Sequence, residues 1–99
     1  MRLKPRDIDA LKIAARETFG DDARVRLYGS RVDDSLRGGD IDIIIETAPV
    51  EDDWRAKSRF LDRLFTMIDE QRVDVVLAER GKPWPAFVRM VMPESVPLP

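Results

Sequence analysis

Apolar residues recur along this chain with two different periods. Between Pro5 and Phe19, the residues Ile8, Leu11, Ala15 and Phe19 fall at helical spacing. Pro5 suits a first turn, Asp7 and Asp9 complement the N-terminal dipole, and Gly20 fits the end of the helix. Arg24-Val25-Arg26-Leu27-Tyr28 alternates instead, as a strand does, with Val25 and Leu27 on one face, and Gly29-Ser30 ends it abruptly. Residues 31–39 include Asp33, Asp34, Ser35, Gly38 and Gly39 and read as a loop with room for one helical turn. Asp40-Ile41-Asp42-Ile43-Ile44-Ile45-Glu46 is rich in β-branched residues and predicts a second strand.

Pro49 and the acidic run Glu51-Asp52-Asp53 open a second helix, expected to reach about Glu70, with Trp54, Leu61, Leu64, Phe65 and Ile68 as its apolar face. Its charges, among them Arg55, Lys57, Arg59, Asp62 and Arg63, read as a solvated surface. Arg72 to Ala78 predicts a third strand, and Arg80-Gly81 turns the chain. A short helix then holds Phe87, Val88 and Val91. Pro93, Pro97 and Pro99 make the tail from about residue 93 extended, with Val96 and Leu98 as points of attachment. Trp84 and Phe87 lie near this proline-rich end, where they fit either core packing or a partner surface.

The order helix, strand, strand, helix, strand, helix predicts an α/β (α+β) layer fold, a small mixed sheet with helices mainly on one face. The 99 residues fit a single domain spanning 1–99. Charged residues make up 36% of the chain, against the ~25% typical of soluble domains. A net charge of −2 argues against a general nucleic-acid binder. Val75-Val76-Leu77-Ala78 is too short to span a membrane, and the N-terminus lacks the apolar core of a signal peptide, so the expectation is a cytoplasmic protein. With no cysteine and no histidine, thiolate chemistry, imidazole ligands and a Ser-His-Asp triad are excluded. Chemistry must run through carboxylates, hydroxyls, Lys, Arg and backbone groups.

Strand parity gathers such groups. Asp40 and Asp42 project to one side, opposite Ile41, Ile43 and Ile45, while Asp74 shares a face with Val76, opposite Val73, Val75 and Leu77. A helix between the second and third strands makes them parallel neighbours, which brings Asp74 beside Asp40 and Asp42. If the first strand is antiparallel to the second, Gly29-Ser30 arrives at the same rim. Three acids at close range raise one another's pKa or demand a cation, and carboxylate oxygens suit Mg²⁺ with substrate phosphates. A Gly-Ser turn offers backbone N–H groups and a hydroxyl to phosphate oxygens, and Arg31 and Arg37 could neutralise a polyphosphate. Each element has a plainer reading: Asp-x-Asp fits any solvent-facing strand, Gly-Ser is a common turn, and Asp74 could pair with Arg72 or Arg24. Their combination in this order favours a metal-dependent nucleoside triphosphate site.

Gly29-Ser30-Arg31, then Asp40-Ile41-Asp42, then Asp74 resemble the signature of the DNA polymerase β-like nucleotidyltransferases, over about Val25 to Leu77. The small size is similar to that of the minimal nucleotidyltransferases, antitoxin partners of HEPN-domain proteins. Nine residues separate Ser30 from Asp40, one fewer than is common in that group, and Val32-Asp33-Asp34 stands where a small residue and Arg-Gly are usual. The resemblance implies a nucleotidyltransferase fold. It implies that Gly29 and Ser30, with Arg31, hold the triphosphate, and that Asp40 and Asp42 bind two Mg²⁺ ions. Asp74 would bind one of these ions and help to activate the attacking hydroxyl. The implied reaction is transfer of AMP from ATP to a hydroxyl of a partner protein, a HEPN toxin. Two other functions fit the sequence: a contact-only module that masks such a partner, and an RNA or small-molecule nucleotidyltransferase. Homo-oligomerisation is left open.

Overall fold

β-Branched residues concentrate in the middle of the chain, and the sheet is built around them. The computed structural model describes residues 2–32 and 40–99. The loop expectation for residues 33–39, with Asp33, Asp34 and Arg37, lies outside the described residues. The strands are β1 (Arg24–Tyr28), β2 (Ile41–Thr47), β3 (Val73–Glu79) and β4 (Val96–Pro97), and the helices are α1 (Pro5–Phe19), α2 (Asp53–Leu64) and α3 (Ala86–Val91). The sheet order is β3-β2-β1-β4. β2 and β3 are parallel, with α2 in the crossover between them, and β1 runs antiparallel to both β2 and β4. The expected mixed α+β architecture is therefore present. Among the described residues, no helix is long and apolar enough to cross a membrane.

One face of the sheet carries the main core. Ile41, Ile43, Ile45 and Leu27 are fully buried there, against Leu11 and Ala14 of α1 and Phe60 and Leu64 of α2. The rings of Phe19 and Phe60 join the two helices at a centroid distance of 6.2 Å. The other face has a smaller cluster, in which Tyr28, Ile44 and Ala78 meet Val88 and Val91 of α3.

Several element details depart from expectation. The apolar stripe of α1 is centred on Ala10, Leu11, Ala14 and Ala15, while Ile8 and Phe19 lie at its flank, only partly buried. The alanines let α1 approach the sheet closely. Trp54 is 78% exposed, not core. At about 100° per residue it sits some 80° around the helix from Leu64, in the first turn. Phe60, fully buried, holds the central place instead.

α2 begins as expected, with the Asp52 carboxylate accepting the Arg55 N–H at 3.1 Å. It ends at Leu64, six residues before Glu70. There the Thr66 hydroxyl donates to the Arg63 carbonyl at 2.6 Å, and the Met67 N–H donates to Leu64 in a tighter turn. That turn still delivers Ile68 to the core.

The tail does more than lie extended. Val96 and Pro97 pair with Leu27 and Arg26, and the Leu98 N–H donates to the Val25 carbonyl. Buried Ser95 is secured by Arg26, whose Nε donates to its hydroxyl at 2.7 Å.

Candidate functional site

Asp42 occupies the second position of β2, on the face opposite the isoleucines. The register places Tyr28 of β1 across from it on one side and Asp74 of β3 on the other. Directly opposed residues share a face, so Tyr28, Asp42 and Asp74 form a row across three strands. Asp42 and Asp74 are hydrogen-bonded through their carboxyl groups. Asp40 stands just before β2, and its negative charge also reaches Asp42. All three acids predicted from strand parity thus gather at one rim.

Charge is uncompensated at the centre of this row. Burial raises the pKa of Asp42 from 3.8 to about 6, helped by the hydrogen bond with Asp74 and the charges of Asp74 and Asp40. Arg72 acts in the opposite sense on Asp42. Its Nε lies 3.3 Å from Asp40 Oδ2 and 3.6 Å from Asp74 Oδ2, so one guanidinium bridges the outer two carboxylates. Burial, and then the charges of Asp42 and Asp74, push the Tyr28 phenol up to about 12, so it keeps its proton at neutral pH.

Gly29 meets this row from the end of β1. Its φ is +82°, a conformation that side chains with a Cβ rarely adopt. A Cβ there would also lie 2.5 Å from Asp42 Oδ2. Glycine is therefore required twice, by the backbone and by the carboxylate pressed against it. Ser30 follows and starts a single 3-10 turn, Ser30–Val32, in which the Val32 N–H donates to the Gly29 carbonyl. Arg31 is held against the N-terminal segment: its guanidinium donates to the Arg2 carbonyl at 3.0 Å, and the Arg2 N–H donates back to the Arg31 carbonyl. Gly29, Asp40, Asp42 and Asp74 are brought together, then, with Ser30 next in chain and Arg31 engaged with Arg2.

Hard oxygen donors in excess of nearby positive charge are the donor set that a divalent cation suits. Among the described residues, no three acids converge closely enough in this arrangement to share one ion. Asp42 and Asp74 are paired with each other, and Arg72 stands between Asp74 and Asp40. In its chemistry the set fits Mg²⁺, with Arg72 in the place of a competing cation. A groove of about 540 Å³, lined by Lys12, Arg16, Arg24, Glu46 and Leu98 among others, lies at the opposite end of β1 and contains none of Asp40, Asp42 and Asp74.

Two site residues escaped sequence reasoning. Tyr28 could have been found as the residue before Gly29, two places on from Arg26 and so on the acid side of the strand. Arg72 was legible as a partner of Asp74, but not of Asp40 as well. Arg24, the other candidate partner of Asp74, instead donates to the Ala23 carbonyl. Compared with known proteins, the chain matches no family model and no curated sequence.

Proposed function

We propose that this chain is a metal-dependent nucleotidyltransferase that moves AMP from ATP to a hydroxyl of a partner protein. The observation that carries this reading is the meeting of Gly29 with the neighbouring carboxylates Asp42 and Asp74. In it a glycine with φ of +82° lies against a carboxylate whose charge is poorly compensated. Asp40, Asp42 and Asp74 would hold Mg²⁺, which when bound supplies charge neutralisation for the phosphates and for the leaving pyrophosphate. The phosphates would lie over Gly29 and Ser30, whose backbone N–H groups and hydroxyl are suited to phosphate oxygens. The acceptor oxygen forms a bond to the α-phosphorus as the bond from that phosphorus to the α–β bridging oxygen breaks. Pyrophosphate leaves, and the acceptor's proton passes to the Asp74 carboxylate. Tyr28 keeps its proton and so adds no further negative charge beside the acids.

The resemblance to the minimal nucleotidyltransferases points to a HEPN toxin as acceptor and to an antitoxin role. The test is to purify the chain with the partner that accompanies it in its native host, add Mg²⁺ and α-labelled ATP, and measure intact masses. Wild type should add one or more AMP units to the partner, and Asp42→Asn should add none. A tight complex with no mass gain in wild type would replace this reading with masking by contact alone.

A further inference from the structure

Resting on that nucleotidyltransferase reading, we infer that the exposed ring face of Phe87 seats the nucleobase of the substrate and favours purines over pyrimidines. Large apolar side chains are exposed at five described positions, and three of these, Trp84, Phe87 and Met90, fall within the eight residues, 84–91, that enter and form α3. α3 turns Val88 and Val91 into the sheet, which leaves Phe87 at the helix flank, 46% exposed. This ring is not remote from the acids. It packs against Tyr28 with centroids 6.0 Å apart and planes at 71°. In an edge-on pair at least one face of Phe87 is left free by Tyr28, whichever ring presents its edge.

Tyr28 is the register partner of Asp42 and the neighbour of Gly29 in the chain. The free aromatic face is therefore one side chain away from the carboxylate beneath the phosphates. A stacked base gains contact with any aromatic face, and the gain follows ring area more than hydrogen-bonding pattern. Phe87 would thus separate ATP and GTP from CTP and UTP without separating ATP from GTP.

The test is calorimetric binding, with Mg²⁺ present, of ATP, GTP, CTP and inorganic tripolyphosphate to wild type, Phe87→Ala and Phe87→Tyr. Phe87→Ala should weaken ATP and GTP by about tenfold while tripolyphosphate stays within about twofold. Phe87→Tyr should restore both purines, and thermal melts should show all three proteins folded. An equal loss for ATP and tripolyphosphate in Phe87→Ala would assign the ring a structural role and overturn the inference. Unchanged ATP binding in Phe87→Ala, with loss of the partner protein instead, would make the patch protein-facing and overturn it as well. If wild type binds none of the four ligands, the nucleotide reading itself falls, a result seen before any Phe87 variant is made.

Discussion

The two faces of the sheet are built from the same strands and differ in what they can spend on function. The helix-covered face buries Ile41, Ile43 and Ile45 completely beneath α1 and α2. The opposite face has one six-residue helix, α3, over Ile44 and Ala78, and at its rim it holds Asp42 against Asp74 with a raised pKa. Stability is concentrated on one side, and the electrostatic tension that a reactive site needs is on the other. Because β2 contributes alternate residues to both, a single strand links them, and substitutions should separate their roles.

The largest effect is expected in the main core. Phe60→Ala should cost about 3–5 kcal/mol in urea denaturation, while Val88→Ala beneath α3 should cost clearly less. Equal losses would erase the distinction between the faces. Next comes Gly29→Ala, which forces a Cβ into the left-handed region and onto Asp42. A loss of roughly 1–3 kcal/mol is expected, together with loss of any Mg²⁺-dependent rise in melting temperature.

Asp42→Asn should act in the other direction. The folded pKa of about 6 lies above the ordinary 3.8, so the wild-type contribution is fully present below about pH 4 and is lost as pH rises through 6. Wild type should therefore lose about 1 kcal/mol across that window, with solvent screening taken into account, whereas Asp42→Asn should stay level. Urea titrations at pH 4 and pH 7.5 measure both. Added Mg²⁺ at pH 7.5 should recover the loss in wild type and do nothing for the variant. The smallest effect belongs to Arg72→Gln, because a largely exposed ion pair contributes less than about 1 kcal/mol. Its signature is instead a further rise in the Asp42 pKa, read by carboxyl-carbon NMR titration, since Arg72 now holds that pKa down.

The strands and the acid row were legible because parity in a strand is a rigid rule. Once β2 is recognised from its isoleucines, Asp42 must face away from them, and a helical crossover must set Asp74 beside it. What stayed hidden depended on rotation and on distant partners. Hydropathy marks Trp54 as apolar but cannot say that α2 turns Phe60, not Trp54, toward the sheet. The stop at Leu64 depends on a Thr66 hydroxyl capturing a carbonyl, a choice a polar residue makes only in context. β4 has two residues and no alternation to detect, and its pairing with β1 spans most of the chain. Tyr28 owes its raised pKa to burial and then to the charges of Asp42 and Asp74 on two other strands, and neither is visible in its own segment.

The short strand at the end of the chain has a consequence for growth of the sheet. Pro97 in β4 has no N–H to donate, so the rim it forms is a poor template for a further strand. β3, in contrast, has a hydrogen-bonded neighbour on one side only among the described residues. The other edge of β3 is therefore paired with no strand among the described residues, and a strand added there would run about 4.8 Å from the backbone of Asp74.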